Sequence, residues 1–184
     1  MQILHSEREF LGPASVLALG TFDGVHIGHA ALIRRAKALA DELSASAIAC
    51  TFDRHPLWVL DPARMPRQLT DLDEKLRKFA LLGADCALVQ RFTPELSNMS
   101  ARDYLLNLVA AMRARAVVVG EDHRFGRRGE GDAHLIQALA GEAGFRAVVV
   151  PPVLDGGDVV SSSLIRSLLA SGEFARAERL LSID

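Results

Sequence analysis

Short apolar runs recur along this chain at Ser15–Leu19, Ala47–Phe52, Ala84–Val89, Ala116–Val119 and Arg146–Val150, each four to six residues long. That is the length of strands buried on both faces. Between them, Ile27–Leu43, Asp71–Leu82, Ser100–Met112 and Asp132–Ala143 carry apolar residues at three- and four-residue spacing, with Ser100 and Asp132 placed as N-caps. Gly83 and Gly144 fall just past two of these segments, where a left-handed residue commonly ends a helix. Strand–helix alternation of this kind predicts an α/β domain, with a parallel sheet of about five strands flanked by helices. The tail, Ser161 to Leu181, reads as two short helices broken at Ser171-Gly172.

With 184 residues, 49% of them hydrophobic and 24% charged, the chain suits one packed domain, residues 1–184. A formal net charge of −2 offers no general attraction for nucleic acid or an anionic membrane. The apolar runs are far short of the ~20 residues a membrane span requires. Glu7, Arg8 and Glu9 interrupt the start, which does not read as a signal peptide. Cys50 and Cys86 both fall in strand-like runs and read as buried, reduced thiols, which points to the cytoplasm.

Chemistry concentrates in Gly20-Thr21-Phe22-Asp23-Gly24-Val25-His26-Ile27-Gly28-His29, between the first strand and the first helix. A glycine-rich turn at that junction lets backbone N–H groups and the positive end of the helix dipole approach a phosphate chain. His26 and His29 share the first helical turn, where either ring can donate to phosphate oxygens. His55 or His123 could complete a zinc set, but no HExxH or CxxC accompanies them, and one histidine could simply cap the helix. The loop has neither the GxxxxGK[ST] of P-loop proteins nor GxGxxG, so the phosphate reading stands apart from both common nucleotide motifs.

Ligands of open parallel sheets bind beyond the carboxyl ends of the strands, so the loops after Leu19, Phe52, Val119 and Val150 are expected to share one rim. Ser161 and Ser162 can cap a helix whose free N–H groups face an anion, with Arg166 one turn on. Trp58 reads as a packing anchor beside the second rim loop, and Lys75, Arg77 and Lys78 as the wet face of a helix. His5 and His134 have no neighbours that suggest chemistry.

The Gly20–His29 segment resembles the HxGH signature of the adenylyl- and cytidylyltransferase superfamily, and its full decapeptide is similar to that of bacterial FAD synthetases. Three further segments resemble the same family: Thr51-Phe52-Asp53-Arg54-His55-Pro56 its TFDPHP stretch, Val119–Gly126 its VGxDFRFG stretch, and Val160–Arg166 its ISSTxIR stretch. The chain departs from the family at Arg54 (Pro), His123 (Phe) and Ser163 (Thr), of which the first two bear on acceptor identity.

The resemblance implies a Rossmann-like nucleotidyltransferase domain that transfers AMP from ATP to FMN, giving FAD and pyrophosphate. It implies His26, His29 and Arg166 as catalytic residues. Gly20, Thr21, Phe22, Asp23, Gly28, His29, Gly120, Ser161, Ser162, Ser163 and Arg166 would bind nucleotide, and Phe52, Asp53, His55, Pro56, Asp122, Arg124 and Phe125 flavin. Mg²⁺ would enter mainly on the ATP phosphates, with Asp23 a candidate ligand or adenosine contact. Family members commonly add a riboflavin kinase module after this domain, so a separate riboflavin kinase is the expected functional partner. A different phosphate acceptor, or a flavin- or nucleotide-binding regulator without turnover, would carry many of the same residues.

Overall fold

A computed structural model describes residues 1–183. The strands of the main sheet are β1 (Gln2–Leu4), β2 (Ser15–Leu19), β3 (Ser46–Phe52), β4 (Cys86–Gln90), β5 (Ala114–Gly120) and β6 (Arg146–Val150), in the spatial order β1-β4-β3-β2-β5-β6. Every neighbouring pair is parallel. The sheet thus has six strands. The additional one, β1, is a three-residue edge strand pairing Gln2–Leu4 with Cys86–Leu88, too short to show a periodic pattern.

Successive side chains of β2 enter opposite layers, as the two-residue strand period requires. Leu17 and Leu19 join the core beneath α5 (Ala101–Ala111) and α6 (Ala133–Ala143). Val16 and Ala18 join the core beneath α1 (Ile27–Glu42) and α3 (Leu72–Leu81). The buried residues of α1, Ala30, Ile33, Ala36, Leu39 and Ala40, trace one stripe, and burying a side chain such as Leu39 contributes about 1.5–3 kcal/mol. Ser100, Asp132 and Ser161 cap α5, α6 and α7 (Ser162–Ala170) through their side-chain oxygens, and Gly144 closes α6 with a φ of 74°.

Strand order fixes where a ligand can enter. The chain runs outward from β2 through β3 to β4, then returns to place β5 against the other edge of β2. The connections leaving the carboxyl ends of β2 and β5 therefore diverge to opposite sides and open a crevice between them. A helical pair, α7 and α8 (Phe174–Leu181), forms a small separate core with Val160, Ile165, Leu168, Ala177 and Leu180, and Ile27 of α1 packs against it. Among the described residues, no helix is long and apolar enough to cross a membrane.

Candidate active site

The loop after β2 is held in a backbone shape that its glycines only partly explain. Gly24 has a φ of 85°, but Phe22 and Val25 also lie in the left-handed region, at 51° and 42°. For a β-branched residue that conformation is strained, of order 1 kcal/mol or more, and it persists only where the surroundings over-determine it. They do so here. Asp23 Oδ1 accepts the Leu69 and Thr70 N–H groups at 2.9 and 3.4 Å, and the Thr70 hydroxyl accepts the Gly24 N–H at 3.1 Å. Lys78 Nζ donates to the Gly24 carbonyl at 3.0 Å, and the Ser162 hydroxyl to the Asp23 carbonyl at 2.9 Å. Gly20 and Gly28 serve a different purpose, since a Cβ there would lie 3.0 Å from the Phe22 ring and 3.1 Å from the His26 ring.

The two imidazoles stack, with ring centroids 3.7 Å apart, and the Phe22 ring meets His29 edge-on at 5.2 Å. Their duties differ. His26 is the N-cap of α1, its Nδ1 accepting the His29 N–H at 3.4 Å, which leaves the ring proton on Nε2. Only 4% of His26 is exposed, and burial pulls its pKa down to about 4 against the opposing pull of Asp122 and Asp23. His29 is likewise held well below the usual imidazole range, by burial first and then by His26 and Lys75, and its Nδ1 is buried without a partner. Both rings are therefore neutral near pH 7, and His29 lines the principal cavity.

That cavity, about 410 Å³, lies over the crevice. It is lined by Gly20, Thr21, Phe22 and His29, by Phe52, Pro56, Phe92 and Tyr104, and by Gly120, Asp122, His123, Arg124 and Phe125. The contributing loops follow β2, β3, β4 and β5. The loop after Val150, expected on this rim, does not reach the cavity, whereas the loop after β4 does. Asp53 and His55 also stay out of its wall: Asp53 Oδ1 accepts the Phe92 N–H at 3.1 Å, and His55 Nδ1 the Leu57 N–H at 3.2 Å.

The Ser161–Arg166 segment abuts the loop from the other side but lies outside that cavity. Ser161 is the N-cap of α7, Ser162 is tied to Asp23, and Ser163 is exposed. Arg166, expected to fork across phosphate oxygens, instead donates through Nη2 to Asp23 Oδ2 and through Nε to the Arg67 carbonyl at 2.8 Å. Asp23, with both oxygens engaged and little exposure, acts as the brace of the loop rather than as an open metal ligand. Among the described residues no cluster of three or more His, Cys, Asp or Glu side chains is arranged to hold a metal ion.

Two further expectations fail. Lys75 and Lys78 do not form a wet helix face; only Arg77 is exposed. Lys75 is 8% exposed and donates through Nζ to the Thr21 carbonyl at 2.8 Å and to the Thr51 hydroxyl at 3.2 Å, while burial lowers its pKa to about 8. Lys75 lies one turn from Phe79, three residues past Leu72, so the helical period itself puts it on the buried face. Trp58 is no packing anchor either: it is 53% exposed on the short helix α2 (Leu57–Leu60), with the Arg54 guanidinium 5.9 Å above its ring. Phe92, Leu96 and Tyr104 carry no signal in the sequence, because nothing local marks a residue that lines a cavity from a loop after β4 or from a helix. Cys50 and Cys86 are free and buried, as their apolar contexts require, and burial raises both thiols.

Comparison with known proteins bears on this geometry. The FAD synthetase family model matches residues 11–164. A bifunctional riboflavin kinase/FMN adenylyltransferase of Listeria monocytogenes is 37% identical over 167 residues, covering 90% of this chain and 53% of that protein. The protein of the same name from Escherichia coli K12 is 35% identical over 179 residues, covering 97% of this chain and 57% of its own length. The chain thus spans about half the length of these two relatives. A relative from Geobacillus thermodenitrificans is matched nearly end to end, at 35% identity over 98% of this chain and 97% of that one. Among solved structures, one described as a macrolide-efflux protein from Streptococcus pneumoniae superposes with a TM-score of 0.85 at 27% identity, over 97% of this chain and 59% of that one. Family match, near-complete coverage and the HxGH loop at the switch point agree, and the chain belongs to the FAD synthetase family.

Proposed function

We propose that the domain is an FMN adenylyltransferase, joining the AMP of ATP to the phosphate of FMN. The observation that carries this is the stacked, neutral imidazole pair at the N-terminus of a sixteen-residue helix, with His29 lining a cavity that also presents the rings of Phe52, Phe92, Tyr104 and Phe125. The imidazoles suit a polyphosphate and the aromatic rings a flat heterocycle. A phosphate oxygen of FMN attacks the α-phosphorus of ATP in line; the new P–O bond forms as the bond to the β-phosphate bridging oxygen breaks, and pyrophosphate departs with that electron pair.

Neutral imidazoles do this work as hydrogen-bond donors rather than as fixed cations. The Nε2–H of His26 and a ring N–H of His29 donate to phosphoryl oxygens as negative charge builds on them, reinforced by the positive end of α1 and by Lys75 beneath Thr21. Gly20, Thr21, Phe22, Gly28 and Gly120 bring the backbone close to the nucleotide. Ser161, Ser162 and Ser163 present the α7 terminus, and Arg166, already braced on Asp23, adds positive charge for the β- and γ-phosphates. Phe52, Pro56, Asp122, Arg124 and Phe125, all lining the cavity, contact flavin. Asp53 and His55 hold the shape of their loop instead.

Magnesium supplies neutralisation of the leaving group when bound. A hard cation that keeps several of its waters needs only one or two protein carboxylates, and among the described residues Asp122 is the only carboxylate that lines the cavity. FMN comes from riboflavin phosphorylation, the activity named with this one in the Listeria and Escherichia relatives. The substrates ATP and FMN and the two free thiols support a cytoplasmic reading.

The test is direct: ATP, Mg²⁺ and FMN incubated with the protein should give FAD and stoichiometric pyrophosphate. Product formed only with CTP, or only with another phosphate acceptor, would overturn the assignment of substrates. Tight flavin binding with no pyrophosphate released would overturn the enzymatic reading itself.

A further inference from the structure

One wall of the cavity holds a polar atom that the reaction as described leaves unused. His123 stacks on Phe125 with ring centroids 5.6 Å apart and planes 19° apart, and both rings line the cavity. Its Nε2 is buried and has no hydrogen-bond partner. Desolvation holds the ring neutral, pulling its pKa down to about 4 against the nearby Asp122 carboxylate. A neutral imidazole nitrogen left without a partner in an apolar surround is unfavourable by about 1–3 kcal/mol, so a ligand that supplies the partner gains from satisfying it.

The surroundings define that ligand. Phe52 and Phe92 pack edge to face at 5.0 Å, Tyr104 lies tilted 6.2 Å from Phe125, and the buried thiol of Cys50 completes the apolar lining. The Tyr104 hydroxyl is already committed, donating to Gln90 Oε1 at 2.7 Å, and Gln90 Nε2 donates in turn to Glu7 at 2.6 Å. His123 thus adds an unsatisfied hydrogen-bonding nitrogen to a lining that is largely aromatic and aliphatic and also carries Asp122, Arg124 and Arg128. The complementary guest is a large flat heterocycle, apolar over most of its area and polar along one edge. The isoalloxazine ring has that distribution, with a dimethylbenzene end and a pyrimidine end of two carbonyls and one N–H. Adenine is smaller and carries ring nitrogens on both sides.

We infer that His123 is a flavin-contact residue, its Nε2 hydrogen-bonding the pyrimidine edge of the isoalloxazine, and that it sets acceptor preference at this site. The inference rests on the proposed FMN adenylyltransferase activity.

Its test separates the two. Dissociation constants of FMN, from flavin fluorescence, and of α,β-methylene-ATP, from calorimetry, are measured on the wild-type protein, His123→Phe and His123→Gln. Thermal unfolding at pH 7.5 verifies that each variant is folded. Phe keeps the stack on Phe125 and removes the nitrogen; Gln restores a polar group of similar reach. His123→Phe should weaken FMN about tenfold, with the nucleotide analogue changed less than about twofold and His123→Gln recovering much of the loss. N3-methyl-FMN and FMN should then differ less on His123→Phe than on wild type if the ring N–H is the partner, and equally on both if a carbonyl is. Unchanged FMN affinity in His123→Phe, or a loss confined to the ATP analogue, overturns the role of His123 while leaving the activity standing. Wild-type protein that binds no FMN overturns both.

Discussion

The two sides of the site are built on opposite terms. On the side proposed for phosphate, the Gly20–His29 loop is mostly buried, strained at Phe22 and Val25, and tied by Lys75, Lys78, Thr70, Ser162 and the Asp23–Arg166 pair. On the side proposed for the acceptor, Arg54, Trp58, Asp122 and Arg124 are exposed, and Arg124 has a 3.6 Å ion pair to Asp132. A group that stabilises a transition state must be fixed before the reaction, because reorienting it would forfeit most of its effect. A surface that admits and releases a large heterocycle needs loops that can give way.

The contrast can be broken most sharply at the rigid end. His29→Ala should lower the rate of FAD formation by about 10²–10³, the effect of losing one pre-placed donor, with FMN affinity little changed; undiminished turnover would remove His29 from the chemistry. Next in size, Asp23→Ala leaves the Arg166 guanidinium and the Leu69 and Thr70 N–H groups without their shared acceptor. Because Arg166 is partly exposed, with 22% of its side chain open to solvent, the expected loss is about 2–3 kcal/mol in urea unfolding, below that of a fully buried pair. A loss under about 0.5 kcal/mol would show that the brace is ornamental.

Acid should then sharpen the comparison. His26 and His123 titrate near 4 in the folded protein, whereas the unfolded chain binds those protons near 6.5. The unfolded state therefore holds more protons between these values, and stability should fall as pH drops from about 6.5 toward 4, by at most about 1.4 kcal/mol per pH unit per histidine. Above that window neither ring contributes. Denaturation midpoints across pH 4–8 should show the dependence, and His123→Phe should reduce its slope. The smallest effect belongs to the open end: Trp58→Ala should change stability by less than about 0.5 kcal/mol, since the ring is half exposed and touches no core cluster. A larger loss would place Trp58 in the packing after all.

How far the sequence could be read follows the same division. The Gly20–His29 decapeptide announces a ligand loop because all its signals are local: a strand before it, a helix after it, and glycines where rings must approach. Caps at Ser100, Asp132 and Ser161 are equally local. Lys75 could have been found by following its own helix period, yet charge alone suggested solvent. No such pattern marks Tyr104 or Phe92 as cavity walls, or Trp58 as exposed, because each depends on what another segment brings alongside.

From its residues alone the chain determined the alternation of strands and helices, the glycine-rich loop between β2 and α1, and the family to which four ordered motifs belong. Only the tertiary structure decided that β5 returns beside β2, that Arg166 closes on Asp23 across 143 residues, and that His26 caps while His29 faces the cavity. Propensity, periodicity and capping act over a few turns of chain. The neighbours that give a side chain its burial, charge and partners are set by strand order, and that order is a property of the whole packed molecule.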